Sequence, residues 1–295
     1  MTTPTIGVFD SGFGGLTVLR ALLARIPQAH YTFLGDTARL PYGSKSRRTI
    51  AKYAAESAQF LVHEQGAQYL VIACNTASAL ALDAIQEAVP VPVLGVIQPG
   101  AQAACAASRT GDVLVIATDA TVRSHTYAAA CSALGLQALE EACPLLVPLV
   151  EEGWTGDSPN HSVTEQVIRI YLDKLLKDAA AAHLHPDTLV LGCTHYPLLR
   201  PLIEQIVPAG MKVIDSAEAT AAEATNRFDL QSTTKAGDPT HETASPSHEW
   251  ESKEASSTCA NVRCFATDSV EKFERLGSRF LGCPTGKVEL VDLGG

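Results

Sequence analysis

Charged residues are scarce in this chain. They make up 18% of its 295 residues, against about 25% in ordinary globular domains. Aromatics are few as well, at 6%, with 2 Trp and 2 Met. The hydrophobic share is nevertheless 46%, which excludes a disordered, collagen-like or long coiled-coil chain. No apolar run approaches the ~18 residues of a membrane span; the stretch Asp112–Thr118 has the length of a buried strand. The opening Met1-Thr-Thr-Pro-Thr-Ile6 lacks the basic and apolar regions of a signal peptide. A soluble, cytoplasmic protein with no membrane partner is expected, and the length suits about two domains.

Basic residues are outnumbered, 22 to 32, for a net charge of −10. A phosphate-tracking surface needs clustered Lys and Arg, and the densest cluster is Lys45-Ser-Arg47-Arg48. Nucleic acid is therefore not an expected partner. The 8 cysteines lack CxxC spacing, so no zinc or other metal site is expected. A chain of this length buries a core without disulfide staples. Cys105, Cys131 and Cys143 sit among Ala, Leu and Ser and read as small apolar packing residues. Cys74 and Cys193 stand apart.

Short β-rich runs alternate with amphipathic stretches. Strands are expected at Thr5–Phe9, Tyr31–Leu34, Tyr69–Ala73, Val91–Leu94, Val113–Ala117, Gln137–Glu140, Thr188–Leu191, Lys212–Ile214 and Val262–Ala266. Helices are expected at Leu16–Arg25, Arg47–Gln65, Ser78–Glu87, Ala101–Ala107, Val122–Leu134, Val163–Leu176, Leu198–Ile206, Ala217–Arg227 and Val270–Leu281. Continuous apolar strands separated by helices predict an α/β fold with mainly parallel sheets covered on both faces. Ligands of such sheets sit outside the carboxyl ends of the strands. From Gln231 to about Ala260 the chain is Ser, Thr, Pro, Glu and His with little to bury. That segment reads as a disordered surface insertion.

The chain echoes itself. Leu70-Val-Ile-Ala-Cys74-Asn-Thr76 and Leu189-Val-Leu-Gly-Cys193-Thr-His195 share one design, 119 residues apart. Each is an apolar strand, a small residue, a cysteine and two polar residues opening a helix. Ile6-Gly-Val-Phe-Asp10-Ser11 is echoed by Leu114-Val-Ile-Ala-Thr118-Asp119, 108 residues on. Two similar units, each offering a strand-end cysteine, account for both pairs. A helix N-terminus is expected to lower a thiol's pKa by ~1 unit or more from about 8.5. Such a thiol can act as a general base or, protonated, as a general acid.

The turn Asp10-Ser-Gly-Phe-Gly-Gly15 follows a strand and opens a helix, where free N–H groups can hold an anion. It is not a dinucleotide fingerprint, because the third glycine position is Thr17. Cys193 to Arg200 is one residue too long for a CxxxxxR phosphatase loop. No lysine occupies a pyridoxal-type setting.

Asp10-Ser-Gly-Phe-Gly-Gly-Leu16, Gly35-Asp-Thr-Ala-Arg-Leu-Pro-Tyr-Gly43, Ala73-Cys-Asn-Thr-Ala-Ser78, Ala117-Thr-Asp-Ala-Thr-Val-Arg-Ser124, Pro148-Leu-Val-Glu151 and Gly192-Cys-Thr-His-Tyr-Pro197 occur in one order along the chain. Jointly they resemble the glutamate racemase family, within the aspartate/glutamate racemase superfamily. The resemblance implies two pseudo-symmetric three-layer α/β domains, residues 1–98 plus 211–295 and residues 99–210, with the active site in the cleft between them. Hinges would lie at Gln98–Gly100 and Pro208–Gly210.

The activity it implies is an isomerase reaction: racemisation of L-glutamate to D-glutamate without a cofactor, for bacterial peptidoglycan and hence cell wall and cell shape. Cys74 and Cys193 would be acid/base thiols on opposite faces of Cα. The Cys74-type thiol of the family acts on the D enantiomer and the Cys193-type on the L. Asp10 would assist Cys74; Glu151, the first of Glu151-Glu152, would assist Cys193 with His195. Ser11, Tyr42, Gly43, Asn75, Thr76, Thr118, Thr121 and Thr194, with Asp10 and His195, would bind the substrate. Family members are commonly homodimers. An aspartate racemase and a non-catalytic anionic amino-acid binding protein are the alternatives.

Overall fold

The computed structural model describes residues 3–156, 158–228 and 261–294. The insertion expected at 231–260 lies outside the described residues.

Two parallel sheets organise the molecule. In the first, β1 (Thr5–Asp10) lies between β2 (His30–Gly35) and β3 (Tyr69–Ile72), with β4 (Val93–Gly95) beyond β3. In the second, β5 (Asp112–Ala117) lies between β6 (Gln137–Ala142) and β7 (Thr188–Gly192), with β8 (Lys212–Asp215) beyond β7. The orders 2-1-3-4 and 6-5-7-8 are the same arrangement. β9 (Val262–Ala266) and β10 (Val288–Leu290) return to extend the first sheet beyond β2. The doubled unit read from the sequence is thus a doubled sheet. Register corrects one detail of the echo. Phe9 pairs with Ile72 and Ala117 with Gly192. With the two cysteines superposed, Thr118 corresponds to Ser11 and not to Asp10.

Helices cover both faces, as buried parallel strands require. α1 (Leu16–Arg25) follows β1, and α2 (Arg47–Gln59) runs on into a wider π turn at Phe60–Glu64. The helix expected over Ser78–Glu87 is two, α3 (Asn75–Leu80) and α4 (Leu82–Ala88), broken at Ala81. α5 (Ile97–Ala107) leads into the second sheet. There α6 (Asp119–Ser124) and α7 (Thr126–Ala133) replace one expected helix, because His125 sits at φ 53° between them. α8 (Leu146–Glu151), a short helix, was not expected; α9 (His161–Ala181), α10 (Arg200–Ile206), α11 (Ser216–Arg227) and α12 (Val270–Leu281) follow among the described residues.

Strand pairing shifts where the chain passes between sheets. Lys212–Asp215 pairs with β7, so the second sheet runs beyond the expected boundary at 210. Gln98–Gly100 lies inside α5, whose first turn accommodates Pro99 without losing a helical bond. Pro208–Gly210 joins α10 to β8, the last strand of the second sheet. Neither expected hinge is a crossing: the chain crosses at Val96, between β4 and α5, and at Asp215–Ser216, where α11 turns back to pack along α1.

One apolar core runs from α1 and β1 across α11 to the α9 side of the second sheet. Two more fill the outer faces, under α2 and under α5 with α7. Cys131 and Cys143 are buried packing residues, as expected. Cys283, just past α12, is disulfide-bonded, which the sequence reading did not anticipate. No helix among the described residues is long and apolar enough to cross a membrane.

Candidate active site

The carboxyl ends of β1, β3, β5 and β7 converge on one cavity of about 500 Å³, as open parallel sheets dictate. Asp10 ends β1 and is fully buried. Its Oδ2 accepts the Gly12 N–H at 2.9 Å, and the Gly15 N–H also points to it. The glycine turn therefore directs two of its N–H groups onto its own carboxylate. Burial pushes the Asp10 carboxyl upward, against His195 and those donors. Glycine is needed here for close approach. A Cβ on Gly15 would lie 2.6 Å from the Asp10 Cβ, and one on Gly14 would lie 2.6 Å from His195 Nδ1, in the other unit.

Cys74 caps α3. Its Sγ accepts the Ala77 N–H at 3.5 Å and lies 3.4 Å from Ser11 Oγ. The expected depression of this thiol's pKa does not occur. Burial, followed by the nearby Asp10, pushes it up to about 12, and the helix N–H and Ser11 only partly offset this. At neutral pH Cys74 is therefore a neutral thiol.

Beyond Cys74, α3 carries Asn75 and Thr76. Asn75 Oδ1 accepts from Tyr127 at 2.6 Å, while its Nδ2 is buried with no partner among the described residues. A buried, unpaired donor is costly unless a ligand fills it. Thr76, Thr118 and Thr121 form a hydroxyl triangle with edges of 3.0, 3.2 and 2.9 Å. Thr118 caps α6 by accepting the Thr121 N–H.

On the second sheet, Cys193 Sγ stands 3.9 Å from His195 Nδ1. His195 Nε2 is 3.3 Å from Glu151 Oε1, off the line of a hydrogen bond. Glu151 Oε2 accepts from Lys272 at 2.9 Å. Burial opposes charge on His195, but the contacts with Cys193 and Glu151 outweigh it and raise the ring to about 10. It is an imidazolium at neutral pH. Burial would raise Glu151; the adjacent His195 imidazolium and the hydrogen bond from Lys272 win, and its pKa is lowered. Phe13 and Phe280 flank the imidazole, with ring centroids 6.0 and 5.4 Å away.

The loop after β2 is held from beneath. Buried Asp36 takes Arg39 Nε at 2.7 Å, Tyr42 Oη at 2.5 Å and Thr267 Oγ1 at 2.9 Å. That network sets the short 3₁₀ turn Tyr42–Ser44 against the cavity.

Of the residues expected at the site, Ser11, Tyr42, Gly43, Cys74, Asn75, Thr76, Thr118, Glu151, Cys193, Thr194 and His195 line the cavity. Asp10 and Thr121 do not; they stand one layer behind, where Asp10 meets Thr194 at 3.5 Å and Thr121 meets Thr76 and Thr118. Glu152 also lines the cavity, but the carboxylate that reaches His195 is Glu151. Sequence reasoning missed Phe13, Ser269 and Lys272, which also line it. A lysine early in an amphipathic helix reads as solvent-facing, so no local signal marks Lys272.

Two strand-end cysteines on one cavity, between two like-ordered parallel sheets, define a protein of the Asp/Glu/Hydantoin racemase class, and the description of that family matches residues 15–224. Over 99% of this chain and 98% of its own length, a glutamate racemase of Koribacter versatilis (strain Ellin345) is 51% identical. One from Geobacter metallireducens is 43% identical over 99% of this chain and 98% of its own. Among solved structures, a glutamate racemase isoform from Bacillus anthracis superposes with a TM-score of 0.80 at 34% identity, covering 98% of each chain. A Francisella tularensis glutamate racemase in complex with D-glutamate gives 0.78 at 33% identity, covering 99% of this chain and 98% of that one. The chain belongs to the glutamate racemase family.

Proposed function

We propose that this chain interconverts L- and D-glutamate by proton transfer between Cα and two thiols, Cys74 and Cys193. The observation that carries the reading is the pair of matched cysteines lining one cavity, each at the carboxyl end of a corresponding strand, β3 and β7, in its own sheet. In the L-to-D direction Cys193, as thiolate, removes the Cα proton, and Cys74, a thiol at rest, delivers its own to the opposite face. One C–H bond breaks and one forms, and the sulfur that gave a proton is left negative. The His195 imidazolium, oriented by Glu151, is the charge partner of the Cys193 sulfur. Asp10 plays the supporting part at Cys74.

The demanding feature is the carbanion beside a carboxylate that is already anionic. Oriented donors must hold the dianion. The unpaired Asn75 amide supports that role, as do the hydroxyls of Ser11, Thr76, Thr118 and Thr194. Residues 1–98 with 211–295, and 99–210, are the two units of this reading, adjusted at β8, and they close over the substrate to exclude water. The D-glutamate formed would feed bacterial peptidoglycan. A homodimer belongs to the same reading, and light scattering on the purified protein tests it.

Racemisation in D₂O tests the mechanism. Early D-product from L-glutamate should carry deuterium at Cα while recovered L-substrate carries almost none, because the base keeps the proton it removes. Equal early labelling of both would replace two bases with one that swings between faces.

A further inference from the structure

Glu151 is the last residue of α8, and among the described residues its carboxylate contacts His195 on one oxygen and Lys272 on the other. The two partners come from different units. His195 follows β7 of the second sheet, whereas Lys272 is carried on α12, which packs against α1 over the first sheet. Lys272 Nζ also lies 5.6 Å from the centre of the Phe13 ring, which packs against His195 as well. Seven residues on, and so on the same helix face, Arg279 fills the space that a Cβ on Gly153 would take. α12 therefore grips the 151–153 segment at two points across the cleft.

We propose that Lys272 is a positioning residue for the Cys193 half of the reaction: it fixes Glu151 in the orientation whose second oxygen faces His195, and it makes that orientation depend on α12 being docked. This rests on the two-thiol reading above. The chain of contacts is continuous, Lys272 Nζ to Glu151 at 2.9 Å, Glu151 to His195 at 3.3 Å and His195 to Cys193 at 3.9 Å. A carboxylate at the end of a six-residue helix, left without its lysine, has rotamer freedom to turn toward the cavity.

A positioning role and a bare electrostatic one have opposite signatures at His195. The titratable and charged groups facing the imidazole are Cys193 on its own turn, Glu151 from α8, Asp10 from β1 and, behind Glu151, Lys272 from α12. Removing a nearby cation raises an imidazolium's pKa, since repulsion falls. Losing an oriented carboxylate lowers it.

The experiment titrates His195 by NMR in the ligand-free Lys272→Met protein and measures racemisation in both directions. The His195 midpoint should fall by about 1 pH unit. kcat should fall about 10- to 100-fold, the scale of a misplaced catalytic group. KM should stay within about threefold, because Lys272 makes no claim on the substrate. Lys272→Arg, which keeps a cation on the same helix face, should recover most of kcat and return the midpoint. A midpoint that rises, an unchanged kcat, or Lys272→Arg no better than Lys272→Met would overturn the proposal. Failure of the two-thiol reading would appear elsewhere, as an active Cys193→Ala variant, and the ligand-free titration would still report on Lys272.

Discussion

Tyr127 donates its hydroxyl to Asn75 Oδ1 at 2.6 Å, and in doing so fixes which end of the Asn75 amide is left free. The donor belongs to α7 of the second unit and the acceptor to α3 of the first. The bond joins the units and keeps the unpaired Nδ2 available. Tyr127→Phe should therefore raise KM for both enantiomers several-fold and lower stability by about 1 kcal/mol. Asn75→Ala should raise KM more. Steady-state kinetics with thermal melts check both, and an unchanged KM in Asn75→Ala would remove this amide from substrate binding.

Cys74→Ala and Cys193→Ala should each reduce racemisation below about a tenth of the wild-type rate, since one direction loses its base and the other its acid. Serine should rescue neither, its hydroxyl being far less acidic than a thiol. Chiral chromatography of timed reactions measures this. A variant above that limit would break the two-thiol scheme.

His195 should titrate near 10 in the ligand-free protein, well above its ordinary 6.5. A folded-state pKa raised in this way stabilises the protein fully below about 6.5 and loses that contribution as pH rises through about 10. The melting-temperature gap between wild type and His195→Asn should thus be widest near pH 6 and narrow toward pH 10. A gap that widens with pH would contradict the protonated ring. His195→Asn should also depress kcat unequally for the two enantiomers. kcat/KM must fall equally in both directions, because L- and D-glutamate have the same free energy.

Asp10 has the opposite sign. Its carboxyl is raised by burial, so the fold favours the neutral form and ionisation costs stability as pH rises above the ordinary 3.8. Asp10→Asn should therefore melt higher than wild type at pH 8, with the advantage shrinking toward pH 4, while turnover falls by ~10²-fold. A variant that melts lower at pH 8 would show that the Asp10 carboxylate stabilises the turn.

Gly14→Ala probes the contact between the units. Its added Cβ would stand 2.6 Å from His195 Nδ1. The collision should cost about 1–3 kcal/mol or be relieved by separating the units. Either way kcat should fall, with far-ultraviolet circular dichroism unchanged. Full activity would mean that Thr194 and His195, the two side chains the Cβ would meet, can shift at no cost.

Much of this was legible in the sequence, because apolar strands and cysteine-helix junctions are local. Val262–Ala266 and the helices Leu16–Arg25 and Val270–Leu281 have the expected bounds. Breaks inside helices were not legible. Ala81 and His125 each end one helix and begin the next inside a stretch that reads from the sequence as a single helix. β10 and α8 are too short to carry a period. The Cys74 thiol was misjudged because a sequence displays the helix start that lowers a pKa but not the burial that raises it. Lys272 escaped notice since only the fold carries α12 across to Glu151.

Under the two-thiol scheme proposed above, the unequal surroundings of the two sulfurs would give the enzyme a memory of its last event. In that scheme an L-to-D turnover starts with the proton on Cys74, whose thiol is pushed up to about 12. One L-to-D turnover leaves the proton on Cys193 and the charge on Cys74, a protein poised for the reverse reaction only. Before the same conversion can recur, the empty protein must move a proton between sulfurs or exchange both with water in the cavity. At low glutamate this reset is faster than the next encounter and goes unseen. At high glutamate it sets the pace, and net conversion should slow as more of the protein is caught in the form that the product, not the substrate, can use.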